Sequence, residues 1–315
     1  MSKIIDALID EVRESTENEE FDSVLGITEE EIIKFINQAQ NRLHSKITGL
    51  HKQFFAEEKT VVSVANQESY SLFYNSYLKN YIHSVEYSSS GSSDDYYSLR
   101  PTSSHNRSTG ANGSPSNYFI RAGKFYVLPT PTNSNGSFRV THVRRPKNLD
   151  KRRGSIIVAD SLSAPTSLDI TFVNGQTVDK AQLDKRSHIT ICDKFGNIKI
   201  ANLLIDSITV GAGTGDAQII ISSEGSLDLQ SAFAIGDFIL SGDHSTSHIE
   251  FSPEVERYLQ IFTEYKILKR DSSVDSAEMF QELAQIEADI LDGYSELSDD
   301  IMEIPVINDS EEWGF

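Results

Sequence analysis

The sequence contains one cysteine, Cys192, and no long uninterrupted run of apolar residues. A single cysteine excludes an internal disulfide and any zinc site built on cysteines, so we expect a buried thiol without a chemical role. No stretch approaches the roughly 18 apolar residues of a membrane-spanning helix. Charged residues in the N-terminal segment MSKIIDALIDEVRE also interrupt the apolar pattern that a secretory signal requires. These absences predict a protein that folds in a reducing compartment and has no membrane partner.

Basic residues are scarce towards the C-terminus. The net charge is −19, and residues 250–315 hold 18 acidic and 4 basic side chains, with no Lys or Arg after Arg270. Such a surface repels phosphate, so we predict no sequence-specific binding of nucleic acid. One basic cluster lies near the middle of the chain, and we interpret it as a solvated linker, with a site for phosphate or an acidic partner as the alternative. Its members are Arg144, Arg145, Lys147, Lys151, Arg152 and Arg153.

Two short patterns resemble ligand sites but lack the surroundings that the chemistry requires. Residues 211–216, GAGTGD, do not end in the Gly-Lys-Ser/Thr of a phosphate-binding loop and lie between predicted strands. Asp243, His244 and His248 have metal-like spacing, yet nothing in their Gly/Ser-rich loop fixes them. No hydrolase or metalloprotease motif occurs. We therefore predict no enzyme, no catalytic residue, no cofactor site and no metal site.

The strongest helix signal lies in residues 27–50. Thr28 and Glu31 have the spacing of a capping box, and Ile27 can pack against Ile32 as a hydrophobic staple. Apolar residues then recur with a helical period. The sequence predicts that this helix is the central element of the fold.

The polar face of this helix is mostly uncharged. Asn37, Gln38 and Asn41 lie on it, and their amides make them candidates for contacts with another subunit. A solvated helix face, which needs no partner, is the alternative interpretation.

The pattern changes from helix to strand and back along the chain. Residues 2–14 form a short amphipathic helix, residues 252–297 form an antiparallel αα-hairpin, and the segments between contain short runs of β-branched and aromatic residues. The class is α+β: a helical bundle of the N-terminal helices and the C-terminal hairpin, with one antiparallel sheet and an inserted β-rich domain. We assign 1–150 and 249–300 to the core, 151–248 to the inserted β-domain and 301–315 to an extended arm.

The arm, IMEIPVINDSEEWGF, combines apolar and acidic residues without a helical period. Apolar side chains in such a segment are typical of a contact with another chain. The predicted contact residues are Ile304, Val306, Glu311, Glu312, Trp313 and Phe315.

Three stretches together resemble the head-to-tail adaptor, or connector, proteins of tailed bacteriophages. They are FINQAQNRL in the central helix, the order Gly-x-Pro-x-x-Tyr, strand, turn, strand, Pro-x-Pro, strand, Arg-Pro between Gly113 and Pro146, and FSPEVERYLQIFTEYKILKRD. The resemblance covers about 1–150 and 249–300. Residues 151–248 depart from it, because the family has a short connection there.

The resemblance implies a structural virion protein that forms a homo-oligomeric ring, commonly a dodecamer, around the channel for DNA ejection. Its implied partners are the portal protein and tail or further ring proteins, at the portal and tail junction of a virion assembled in the host cytoplasm. The arm is then expected to contact the portal. A glycan-binding or structural tail or baseplate module, with 151–248 as the binding domain, is the alternative function.

Overall fold

The computed structural model describes most of the chain and divides it into two compact units. The described residues are 4–16, 27–50, 54–71, 82–92, 95–103, 112–173, 183, 187–224, 227–249, 251, 253–271 and 277–299. One unit comprises residues 1–44 and 146–315, and the other comprises residues 45–145. Four helices and seventeen strands in the described residues confirm the predicted α+β class.

Four helices account for the α part, and their bounds are close to those predicted. They are α1 (Ile5–Ser15), α2 (Glu29–Leu50), α3 (Pro253–Asp271) and α4 (Ala277–Asp299). The buried stripe of α1 contains Ile5, Leu8, Ile9 and Val12, as its four-residue spacing predicts.

Side chains join these helices in pairs. The Ser15 hydroxyl on α1 donates to Glu264 on α3 over 2.5 Å. The Tyr265 ring on α3 lies 5.9 Å from the Phe280 ring on α4. Each of α1 and α4 therefore has a neighbour in α3.

The unit of residues 45–145 contains two four-stranded sheets, so the prediction of one antiparallel sheet is wrong in number. The first sheet has the order β1-β8-β3-β4 and the second β2-β7-β6-β5, in which β5 and β6 are parallel. The strands are β1 (Ala56–Val62), β2 (Ser69–Ser71), β3 (Ile82–Ser88), β4 (Tyr97–Ser98), β5 (Arg100–Pro101), β6 (Asn117–Arg121), β7 (Lys124–Leu128) and β8 (Ser137–Val143).

An aromatic core lies between these two sheets. The Phe138 ring of the first sheet is 4.9 Å from the Tyr70 ring and 5.7 Å from the Phe125 ring of the second. Each of these side chains is at least 96 % buried. Periodicity identifies which residues face inward but not which sheet a strand joins, so the sequence pattern is the same for one sheet or two.

The β-rich part of the other unit is a closed, antiparallel six-stranded barrel. Around it the order is β12-β16-β10-β11-β14-β13, and β13 also pairs with β12. Short β15 adds to β13, and β9 pairs with β17 in parallel outside the barrel. The strands are β9 (Asn148–Leu149), β10 (Gly154–Ala159), β11 (Ser167–Phe172), β12 (His188–Cys192), β13 (Ile198–Val210), β14 (Ala217–Ile221), β15 (Asp228–Leu229), β16 (Phe238–Ser241) and β17 (Ser245–Thr246).

One long strand closes this barrel. β13 pairs with β12 through Ile198–Leu204 and with β14 through Ile205–Val210, with a register shift between Ile205 and Ser207. A bulge bends a strand and increases its twist, which lets the two halves face different neighbours. The core inside is almost entirely aliphatic, with Ile156, Ile170, Ile191 and Ile239 fully buried.

Candidate interaction surfaces

The start of α2 is fixed by the capping box that the sequence predicts. The backbone N–H of Glu31 donates to the Thr28 hydroxyl over 3.3 Å, and the backbone N–H of Thr28 donates to the Glu31 carboxylate over 3.2 Å. Ile27 and Ile32 are both buried, as the hydrophobic staple requires. This prediction is confirmed, and it leaves Glu29 and Glu30 at the first turn of the helix.

Glu29 and Glu30 hold the segment that leads into the barrel. The Lys151 ammonium contacts the Glu29 carboxylate, and the Arg153 guanidinium donates to both oxygens of Glu30 over 2.8 and 3.0 Å. Arg153 also donates to both oxygens of Asp150, over 2.8 and 2.5 Å. With Arg13, which contacts Glu29 from α1, these residues form a network that we call the anchor network.

The anchor network corrects the interpretation of the basic cluster. The side chains of Lys151 and Arg153 are only 7 % and 3 % exposed, so neither belongs to a solvated linker or faces an external phosphate. Arg152 donates to the backbone carbonyl of Lys194 over 2.8 Å and lies 4.2 Å from the centre of the Phe238 ring. Lys151, Arg152 and Arg153 therefore all contact other residues of the same chain.

The pKa values of two acids in the network, Glu29 and Asp150, are shifted in opposite directions. Burial would raise the pKa of Glu29, but hydrogen bonds and charge interactions with Lys151 and Arg13 outweigh it and hold the pKa below its ordinary value. Burial dominates at Asp150 and raises its pKa despite the Arg153 guanidinium beside it. The network therefore favours the charged form of Glu29 and disfavours the charged form of Asp150.

The predicted subunit-contact residues on α2 differ in their surroundings. The Asn37 amide donates to the Leu149 carbonyl and accepts from the Leu149 N–H, both over 2.8 Å, so it holds β9 on the helix. Gln38 and Asn41 are exposed, and the Asn41 amide donates to the Asn37 carbonyl over 2.8 Å. A role of these residues in subunit contacts stays a prediction.

The remaining predicted contact residues lie outside the described part of the chain. They are the members of the arm: Ile304, Val306, Glu311, Glu312, Trp313 and Phe315.

The glycine-rich loop of the barrel binds a carboxylate of its own chain. Thr214 donates from its backbone N–H and its hydroxyl to Asp169 over 2.9 and 3.1 Å. Gly213 has φ +75°, and a Cβ there would lie 2.4 Å from the Asp169 carboxyl group. These bonds, with that from Gln218, lower the pKa of Asp169. The loop connects β13 and β14 as a hairpin and does not open a helix.

The two histidines with metal-like spacing, His244 and His248, contact different residues. The His244 ring is 3.1 Å from the Asp228 carboxylate, whereas His248 lies against Gly196, where an added Cβ would be 2.4 Å from the imidazole. Among the described residues no group of three potential ligands could hold a metal ion. Cys192 is buried, and burial raises the pKa of its thiol to about 12, so it stays protonated at neutral pH.

A surface that the sequence analysis did not single out lies on the second sheet of residues 45–145. Arg121 and Lys124 face each other across the β6–β7 turn, and Arg100 on β5 lies beside Asn117 in the same sheet. All three cations are exposed and lie on the sheet face opposite the aromatic core. We call Arg100, Arg121 and Lys124 the basic face.

Two stacked rings lie on the same sheet face. The Phe119 and Tyr126 rings are 4.8 Å apart with planes 5° from parallel, and this pair lies two residues along the strands from the pair Arg121 and Lys124, on the same face. The four strands of this sheet contain no Asp or Glu. This sheet therefore carries more basic than acidic side chains, although the whole chain is strongly acidic.

The charge of the whole chain is divided unequally between the two compact units. Residues 45–145 hold 11 Lys and Arg and 6 Asp and Glu, a net charge of +5, so the other unit carries −24 of the total of −19. Counting charges over consecutive segments of the sequence hides this division, because one unit is discontinuous along the chain. The charges can be assigned to the two units only when the fold shows that residues 1–44 and 146–315 lie together.

Comparison with known proteins gives the family. A sequence model of the SU10 adaptor protein family matches residues 4–169, which is more than half of the chain. No curated protein matches the chain. The matched range includes α1, α2, both sheets of residues 45–145, and in the barrel β10 and the first three residues of β11.

The chain belongs to the SU10 adaptor protein family, a family of structural phage proteins. Membership implies interaction with other phage head or tail proteins and a place in the virion. No helix in the described residues is long and apolar enough to cross a membrane.

Proposed function

We propose that this protein forms a homo-oligomeric ring, with twelve copies as the expected number, that joins the portal vertex of a phage capsid to the tail. The family match over residues 4–169 carries the proposal, because it places the chain among phage adaptors. In this function the four helices form one bundle, and the barrel lies on the periphery of the ring. The contacts of α3 with α1 and α4 support such a bundle.

The charge of the chain supports a channel through which DNA passes without binding. A net charge of −19 on each copy gives a ring a strongly negative field, which opposes adhesion of the phosphate backbone. The field acts over about a Debye length, roughly 8 Å at physiological salt. DNA that moves through such a ring meets repulsion from all sides and has no site at which to stop.

The arm at the C-terminus is the proposed contact with the portal. Trp313 and Phe315 are the aromatic anchors, and Glu311 and Glu312 pair with basic residues of the portal. Other copies are contacted through exposed polar side chains, with Gln38 and Asn41 on α2 as candidates.

Co-sedimentation with purified portal particles tests the proposal. The full chain is expected in the pellet, whereas a chain that ends after Asp300 and the variant Trp313→Ala are expected to stay largely in the supernatant. A loss of about 2 kcal/mol from one aromatic anchor corresponds to roughly 30-fold weaker binding. Binding that is undiminished after removal of the arm would show that the portal contact lies elsewhere.

Electron microscopy of the same particles tests the ring itself. An additional ring of density at the portal vertex is the expected result. Density attached to a tail fibre or baseplate and absent from the portal would instead favour the alternative module, in which the barrel binds a glycan or a tail protein.

A further inference from the structure

We propose that the basic face, Arg100, Arg121 and Lys124, docks on the exposed acidic side of α4 in a second copy of the chain. This inference rests on the proposed ring, because it names the two surfaces that meet between neighbouring subunits. Each subunit has one of each surface, so every copy can contact two neighbours through different faces.

The basic face contains an unfavourable arrangement that an acidic partner would relieve. Arg121 and Lys124 are directly opposed on neighbouring strands, and like charges in this position destabilise a sheet. No ion pair in the described part of the chain involves Arg100, Arg121 or Lys124. The three cations therefore have no counter-charge among the described residues.

The helix α4 supplies the complementary surface. Its sequence, AEMFQELAQIEADILDGYSELSD, contains seven acidic residues and no basic residue. Only Leu283, Glu287 and Ile290 are buried between Glu278 and Tyr294, so most of the circumference of the helix is exposed there. Glu282 is already paired with Arg257 of the same chain over 3.1 Å. Glu278 and Asp289 are both exposed and are eleven residues apart, and therefore lie on one side of the helix.

Charge favours a second copy over nucleic acid as the partner. The basic face carries three cations, which would neutralise at most about three phosphates, whereas the other compact unit, residues 1–44 and 146–315, carries a net charge of −24. The acidic side of α4 is present in every copy at the same concentration as the basic face. A ring subunit thus contains both halves of a complementary contact.

Charge reversal of each surface tests the inference by analytical ultracentrifugation. The basic-face variant is Arg121→Glu with Lys124→Glu, and the helix variant is Glu278→Lys with Asp289→Lys. The control, Lys194→Glu with Lys269→Glu, makes the same change in net charge as the basic-face variant at exposed positions outside both surfaces. Circular dichroism of each variant verifies the fold.

Wild type and control are expected to self-associate, and each surface variant alone is expected to do so at least about tenfold more weakly. An equimolar mixture of the two surface variants should regain assembly, because each reversed surface then meets a reversed partner and each native surface a native one. Restoration by mixing requires contact between different copies, which a local effect on folding cannot imitate.

Three results would overturn the inference. Surface variants that assemble as well as wild type would show that other residues form the contact. A wild-type chain that stays monomeric at all concentrations would exclude the contact, although portal binding by that monomer would leave the adaptor function standing. Binding of duplex DNA that disappears in the basic-face variant, while assembly persists, would assign the surface to nucleic acid.

Discussion

Substitution of Arg153 by methionine should destabilise the unit that contains the barrel. Its guanidinium is 3 % exposed and contacts Asp150, which is 5 % exposed, and Glu30, which is 26 % exposed. Removing one partner of a buried pair leaves the other charge uncompensated, at a cost of about 3 to 5 kcal/mol. Glu30 can turn towards water and Asp150 keeps the bond from the Ser241 N–H over 2.7 Å, so we expect the lower end, about 3 kcal/mol.

An exposed pair on the same helix provides the matched control. Arg270 donates to both oxygens of Glu31 over 3.0 and 3.1 Å, but the two side chains are 51 % and 39 % exposed. Arg270→Met should therefore cost only about 0 to 1 kcal/mol. Both variants remove an arginine from a glutamate in the first turn of α2, so their difference isolates the effect of burial.

Urea unfolding followed by far-UV circular dichroism measures the two variants. The two compact units can unfold separately, so the transition that removes the helical signal is the one to compare. The Arg153→Met penalty should also narrow as the pH falls, because the buried Asp150, whose pKa is already raised by burial, can then be protonated. Equal destabilisation by the two substitutions, or a penalty independent of pH, would refute the reasoning.

Three further predictions follow from the same unit. Phe262→Ala should cost about 3 to 5 kcal/mol, because the ring is 4 % exposed, and an unchanged melting temperature would contradict the burial of this ring within the chain. The folded pKa of Glu29 is depressed below 4.5, so its contribution to stability is present above that value and is lost as the pH falls through the folded pKa. Glu29→Gln should therefore lower the free energy of unfolding at pH 7 and make that free energy less dependent on pH in the acid range, as measured by urea unfolding. An equal loss of stability at every pH would contradict this. Replacing residues 154–241 by a short linker should leave a folded helical protein by circular dichroism, and an insoluble product would show that the barrel is part of the core.

The helical part of the fold was predictable because its signals are local. The capping box of Thr28 and Glu31 and the buried stripe of α1 depend on residues within one or two turns. The turns at Ala122-Gly123 and around Gly196 were predictable for the same reason, since their positive φ angles depend on local sequence. The division of the strands into two sheets was not predictable, because the strands that pair are distant in sequence. The alternation of inward-facing and outward-facing residues is the same for one sheet and for two.

The anchor network and the basic face were missed because both depend on distant contacts. Residues Glu29 and Glu30 are more than 120 positions from Lys151 and Arg153, and only the fold brings the two groups together. The available signal was a run of three glutamates at the helix start and a run of three bases after Asp150. Three acidic residues in one segment and three basic residues in another could pair with each other, but the sequence does not show that these two segments are partners.

The path of the chain into and out of the barrel explains how such a domain fits an adaptor. β9 leads towards the barrel and lies in parallel beside β17, which leaves it, with Asn148 donating to the His244 carbonyl and Asp150 to the Thr246 carbonyl, each from the backbone over 3.0 Å. The two ends of the barrel are therefore about one strand spacing, roughly 4.8 Å, apart. A domain whose ends are adjacent can replace a short connection without displacing the helices on either side.

The same geometry also limits the independence of the barrel. Asn37 hydrogen-bonds to Leu149, and the Arg153 guanidinium joins Asp150 to Glu30 in the first turn of α2, so the segment before β10 is held to α2. Asp150 accepts from the Ser241 N–H at the end of β16 and so links the last barrel strand to the same network. Buried charge therefore connects the barrel to the helices, and the two lie in one compact unit. That the barrel is an inserted domain able to fold separately stays a prediction.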